Sequence, residues 1–134
     1  YWGDYHFESV LGPERAERIS PAASAVKRSM SFTLHQDSPV VPPNILFSIH
    51  NAVNRKTKNG MVLGEEQRVP VIEALKAATV YAAYQIFEEE NKGSITPGKL
   101  ADFVILDQNP LKADKETLKD IKVLRTIKEG EDIL

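Results

Sequence analysis

The sequence predicts a mixed α/β fold containing one strand typical of a (β/α) barrel, and the stretch 31–37 is the main reason. It alternates polar and apolar side chains, then ends in a carboxylate and a proline-rich loop. In a strand, Phe32 and Leu34 would share one face. The polar positions would share the other: Ser31, Thr33, His35 and Asp37. Because such barrels carry their reactive groups at the carboxyl ends of strands, we expect Asp37 at a functional edge.

The second observation is a pair of strongly helical stretches, and the third is a late apolar run that reads as a strand. Apolar side chains in 43–55 recur at the spacing of one helix face, and 69–90 is apolar almost all round. The run 103–106 is continuously apolar between two aspartates, which predicts a strand buried on both faces. Helices and strands thus share the chain, which gives the α/β class.

Composition fits a globular domain and excludes several functions. The 134 residues are 42% hydrophobic, enough for a core. Seventeen basic and nineteen acidic residues give a net charge of −2 without a basic block, so we expect neither a nucleic acid nor a membrane partner. The absence of cysteine excludes disulfides, thiolate metal sites and cysteine nucleophiles.

No apolar run approaches the roughly 18 residues of a membrane span, and no signal peptide is visible. We therefore expect a cytoplasmic protein. The chain begins at Tyr1, without a methionine and inside an aromatic cluster. We interpret it as a piece of a longer protein, and we expect the aromatic stretch 1–7 to cover apolar surface.

Two short helices are predicted before the central stretch. Residues 12–18 place Pro13 at a first helical position, with acid early and base late. Ser20 and Pro21 suit the N-cap and first position of a helix over 21–29.

After Asp37, prolines 39, 42 and 43 predict a stiff loop that leads into the helix 43–55. The stretch 69–90 is either one helix or two helices joined near Thr79, where β-branched residues lower helix propensity. Three glutamates at its end oppose the helix dipole, so it should fray before Gly93.

The last third reads as turns and strands. Residues 96–99 (TPGK) predict a type II turn, with proline second and glycine third. Residues 115–119 predict a helical turn, and 121–127 a strand that ends before Gly130. We expect this strand to pair with 103–107.

Three segments together carry a family resemblance. Residues 93–107 (GSITPGKLADFVILD) resemble the closing signature of the amidohydrolase superfamily. Residues 11–15 (LGPER) and 33–40 (TLHQDSPV) are similar to the metal-dependent branch that includes formamide deformylase-like enzymes. The resemblance extends over almost the whole chain in one order.

The resemblance implies a C-terminal fragment of a (β/α)₈ barrel, with strands of a β-sandwich domain, that is rich in helix when isolated. Residues 1–92 would be the last βα portion of the barrel. Residues 93–134 would return to contribute strands to the sandwich. The activity implied is hydrolysis of non-peptide C–N bonds with a divalent metal, zinc being the expected one.

Asp37 matches the carboxylate that ends barrel strand eight in this family. The resemblance implies that it contacts the metal and acts as general base, in the intact parent only. A metal lowers the pKa of its water, and a nearby carboxylate can take the proton. His35, on the same face, is the substrate-binding candidate, although it also suits a packed interior position. Asp37 also suits a turn or an N-cap.

The family's other metal ligands have no counterpart here. The histidines of this chain are His6, His35 and His50, and none forms a His-x-His pair. A hydrolytic zinc site usually needs three protein ligands. We therefore expect the isolated chain to hold no metal and to be inactive. We interpret His6 and His50 as structural or surface groups, and Asp102 as a residue that ties down the turn before its strand.

Two functions remain open from the sequence. The first is the C-terminal part of a metal-dependent hydrolase, whose partners would be the remainder of its chain and a small-molecule substrate. The second is a stand-alone binding or regulatory domain without catalysis. An upstream reading frame encoding His-x-His favours the first, and a start codon near Tyr1 favours the second. Exposed strand edges predict some self-association in either case.

Overall fold

The computed structural model describes residues 1–133 as a set of short helices followed by a small sheet. The helices are α1 (Gly3–Tyr5, continued by π-helical His6–Val10), α2 (Pro13–Ala16), α3 (Ala22–Lys27), α4 (Ile45–Asn54), α5 (Val71–Ala78) and α6 (Val80–Gln85). Two 3-10 helices span Glu65–Gln67 and Lys115–Asp120. The strands are β1 (Phe103–Leu106), β2 (Val123–Lys128) and β3 (Glu131–Asp132).

Helix α4 is the centre of the core, as its apolar spacing predicts. Its buried side chains Leu46, Ile49 and Val53 pack in one cluster with residues from α3, α5 and the second 3-10 helix. Leu118, from that 3-10 helix, is fully buried in the cluster. Asn44 caps the N-terminus of α4, where its side chain accepts a hydrogen bond from the backbone N–H of Phe47 at 3.0 Å.

Arg55 ends α4 and ties three chain segments together. Its backbone is left-handed, with φ at 56°. Its guanidinium donates to the carbonyl oxygens of Ile19, Ser20 and Leu63 at 2.9, 3.1 and 2.9 Å. These bonds fix the loop after α2 and the loop before α5 against the end of the central helix.

The prediction of a strand over 31–37 is wrong for this chain. Residues 31–36 have no regular secondary structure, and the described part of the chain offers them no neighbouring strand. The alternation of faces persists nevertheless, because Phe32 and Leu34 pack against the core cluster. The apolar side chains at every second position therefore point to the core, although the hydrogen-bonded ladder that would define a strand is missing.

The stretch 69–90 is two helices, with the break at Thr79 (φ −129°, ψ −91°). Regular helix ends at Gln85, so the glutamates lie in the turn beyond it. Gly93 is required there: its φ is +89°, and a Cβ would lie 2.6 Å from that of Ala83. The apolar residues that surround this stretch are not all buried, since Ile72 and other outward apolar side chains are exposed.

The sheet has the order β1-β2-β3, and all its pairs are antiparallel. The predicted pairing of 103–107 with 121–128 is confirmed, with Phe103 opposite Ile127. Burial of β1 on both faces is wrong, because Val104 is 51% exposed and its neighbours are also accessible. The physical reason is that β1 is an edge strand, and no described element covers it.

Asp102 holds a different turn from the one expected. Its carboxylate accepts hydrogen bonds from Lys128 Nζ at 2.9 Å and from the backbone N–H of Glu129 at 2.8 Å. It therefore fixes the turn between β2 and β3. The sequence indicates a structural aspartate correctly but not its partner, which lies 27 residues away.

Within residues 1–133, no helix has the length and apolar character needed to cross a lipid bilayer.

Candidate active-site segment

The segment 31–40 carries both predicted site residues on its outer side. Phe32 and Leu34 face the core, whereas the side chains of His35 and Asp37 are 82% and 73% exposed. His35 Nε2 lies 3.6 Å from Asp37 Oδ1. The structure thus brings the two candidates together, and the interpretation of His35 as a packed interior residue is wrong for this chain.

Asp37 lies at a sharp change of backbone direction. Its φ is +55°, a left-handed conformation that aspartate tolerates better than most residues. Its carbonyl accepts a hydrogen bond from the N–H of Val40 at 2.7 Å and closes a turn that contains a cis Ser38–Pro39 bond. The turn interpretation is therefore correct for the backbone.

The carboxylate of Asp37 is not used by that turn. Helix α4 is capped by Asn44, so the N-cap interpretation of Asp37 is wrong. Among residues 1–133, the partner of the Asp37 carboxylate is His35. An exposed carboxylate whose backbone is fixed and whose oxygens are open to solvent can accept a proton from a water molecule or a substrate.

The two donors fall short of a metal centre. Within the described residues, no three histidine, aspartate or glutamate side chains come together as metal ligands. His35 and Asp37 supply one nitrogen and one carboxylate, whereas a hydrolytic zinc site usually has three protein ligands. The residues present therefore do not fit a complete metal site.

The other two histidines have structural surroundings, as predicted. His50 is buried on α4, and its Nδ1 lies 3.0 Å from the side-chain amide nitrogen of Asn54. Burial, with a smaller contribution from the charge of Lys119, lowers the pKa of His50. His6 is half-buried in the first helical segment, with its ring beside that of Tyr5.

One contact near the site was not predicted from the sequence. The side-chain amide of Gln36 donates to the hydroxyl of Ser48 on α4 at 3.0 Å. Gln36 stands between the two candidate residues, and its partner is twelve positions along the chain. No local pattern marks that pair, since both side chains are ordinary surface types.

Comparison with known proteins confirms the family resemblance. Residues 1–133 match the model of a family described as "Amidohydrolase family". The chain is 29% identical over 124 residues to the putative amidohydrolase YtcJ of Bacillus subtilis, covering 90% of this chain and 23% of that protein. It is 29% identical over 133 residues to N-substituted formamide deformylase of Arthrobacter pascens, covering 96% and 24%.

A solved amidohydrolase structure from Thermotoga maritima superimposes with a TM-score of 0.62 at 25% identity, covering 94% of this chain and 27% of that one. The chain thus spans about a quarter of the length of these proteins. A family match over nearly every residue and a shared fold lead to one conclusion. The chain belongs to the amidohydrolase family, a family of hydrolases.

Proposed function

We propose that this chain is the C-terminal part of a metal-dependent hydrolase that cleaves non-peptide C–N bonds of the amide or amidine type. The observation that carries the proposal is Asp37: an exposed carboxylate at a fixed turn, beside His35, in a chain of this family. A relative named as a formamide deformylase aligns over 133 residues, which supports a C–N bond as the target.

Asp37 would act as the general base. Its carboxylate accepts the proton that the attacking water loses, and the resulting acid then donates that proton to the leaving nitrogen. One carboxylate can serve both steps because the proton returns from it to the substrate. His35, 3.6 Å away on the same side, would contact the substrate.

The metal would depend on residues outside this chain. Amidohydrolases are generally metal-dependent, and zinc is the metal that we propose. Asp37 would be one of its ligands in the intact protein, while the remaining ligands come from the rest of the parent chain. The isolated chain would accordingly be inactive, because its described residues supply too few ligands.

The chain would have two kinds of partner under this function. The remainder of the parent chain would be the main partner, and the substrate would be a small molecule. The open edge and faces of β1 would favour pairing with another strand, including one from a second copy when the chain is alone. We propose neither a nucleic acid nor a membrane as a partner.

The test is Asp37→Asn in the full reading frame that contains residues 1–134, assayed on a panel of N-substituted formamides and amides. Asparagine keeps the shape and cannot accept the proton, so kcat should fall by roughly 10²–10⁴. Asp120→Asn is the matched control: Asp120 is exposed, pairs with Lys119, and should leave kcat unchanged.

Near-normal turnover of the Asp37→Asn variant with its metal still bound would overturn the general-base role. A reading frame that starts near Tyr1, with no activity on any compound of the panel, would instead favour a binding or regulatory domain.

A further inference from the structure

We propose that Gln36 is a positioning residue, which orients Asp37 by anchoring the loop before it to Ser48 of α4. This rests on the proposed function for its catalytic consequence, whereas its structural part can be measured without any assay. Neither Gln36 nor Ser48 would contact the substrate.

In this chain, the backbone of 31–36 has no support from other backbone. Within residues 1–133, none of its N–H or C=O groups forms a hydrogen bond with other backbone. A strand would be held in place by a ladder of such bonds, which this segment lacks. Its orientation must therefore come from side chains.

Few side chains can orient the segment. Phe32 and Leu34 pack against the core, but apolar contacts are not directional and do not fix the orientation of its last residue. The bond from Gln36 Nε2 to Ser48 Oγ is the one hydrogen bond that ties 31–36 to the rest of the described chain.

Helix α4 holds the backbone of Ser48 in place. Ser48 lies next to the buried Ile49, and its N–H donates to the carbonyl of the N-cap residue Asn44. The bond from Gln36 to the Ser48 hydroxyl therefore ties the residue directly before Asp37 to an ordered helix.

Side chains of 31–36 alternate between faces, as Phe32 and Leu34 show, so holding Gln36 toward α4 turns His35 outward. Asp37 follows Gln36 directly and begins the left-handed turn, so the anchor also fixes the point from which its carboxylate projects. The side chains of His35 and Asp37 are both exposed. A neutral hydrogen bond of this kind should shift the balance between the ordered and the loosened segment by roughly two- to tenfold.

The experiment uses hydrogen exchange by NMR on the 134-residue chain, with two reporters. One is the amide of Val40, which is bonded to the Asp37 carbonyl, and the other is the side-chain amide of Gln36. In Ser48→Ala, both should exchange roughly two- to tenfold faster while the amides of α4 and α5 keep their rates. Ser48→Thr, which retains a hydroxyl, should restore slow exchange.

The chain contains a matched control pair. Gln67 donates to the hydroxyl of Ser24 at 3.0 Å, the same chemistry in another place. Ser24→Ala should leave the Val40 amide unchanged. If Ser48→Ala leaves the Val40 and Gln36 rates unaltered, or if Ser24→Ala changes them equally, the positioning role is wrong.

A second measurement separates this inference from the proposed function. If 31–36 is the same loop in the full-length protein, Ser48→Ala should lower kcat by roughly two- to tenfold with KM unchanged, since Asp37 would act on the proton and not on substrate affinity. If Ser48→Ala speeds local exchange but leaves kcat unchanged, the Gln36–Ser48 bond holds the loop but does not contribute to catalysis. If exchange is unchanged in Ser48→Ala, the Gln36–Ser48 bond does not hold the loop, whether or not Asp37→Asn lowers kcat.

Discussion

Identical side chains have opposite surroundings in this chain, and His35 and His50 are the clearest case. His35 is open to solvent beside a carboxylate, whereas His50 is buried under the 3-10 helix that covers α4. The difference follows from position: His50 belongs to the buried face of an amphipathic helix, and His35 to the polar side of an alternating segment. Only the exposed one is available to a substrate.

The burial of His50 predicts a dependence of stability on pH. Its pKa is lowered in the folded chain, so below about pH 6.5 the unfolded chain binds a proton that the folded chain resists. Stability should therefore be complete above that pH and decline as pH falls from there toward the lowered pKa. Protonation of His50 at Nδ1 would also place two N–H donors, that of the imidazole and that of the Asn54 amide, against each other.

Urea unfolding between pH 8 and pH 5 measures this effect. His50→Gln should flatten the decline, while His35→Gln, which removes an exposed imidazole, should leave it in place. An equal decline in the natural chain and the His50→Gln variant would show that another group is responsible.

At the scale of elements, the helices α2 to α6 lie close to their predicted positions, whereas one of the predicted strands is absent. The predicted helix 43–55 is present as Ile45–Asn54, and the break at Thr79 is where one alternative set it. A helix completes its own hydrogen bonds within one stretch of chain. A strand needs a partner, which 103–106 finds in β2 and 31–36 does not find among the described residues.

This difference predicts the order of hydrogen exchange. The slowest amides should be those of α4 and α5, because their inner faces are buried, whereas β1 is an exposed edge strand. Amides of 31–36 should exchange fastest, since they donate no backbone hydrogen bond.

Exchange measured on a proven monomer would test this order. Protection of 31–36 equal to that of α4 would mean that the segment has a strand partner in solution, which would contradict the observed loop.

At the scale of the whole molecule, the chain combines a packed helical centre with an open sheet and an incomplete site. The side chains of the core around α4 are buried against one another, whereas the apolar side chains of β1 are exposed to solvent. His35 and Asp37 likewise lie at the surface with nothing described above them. Under the proposed function, the remainder of the parent chain would cover both surfaces.

The incomplete site predicts weak metal binding. Titration of zinc into the 134-residue chain should show no stoichiometric submicromolar site, because two donors cannot supply the usual three-ligand set. Calorimetry with Asp37→Ala and, as control, Asp120→Ala would measure it. One tight site that disappears only in the Asp37→Ala variant would show that the chain alone binds the metal.

The sequence by itself determined the family, the helices α2 to α6, the β1–β2 pairing and the two candidate site residues. These depend on local information: a helical period around Ile49, the turn at Gly98, and a signature over 93–107. Only the tertiary structure decided that 31–36 is a loop, that β1 is exposed, and that Gln36 bonds to Ser48. The physical reason is that strand pairing, burial and side-chain contacts depend on which distant residues are present to complete them.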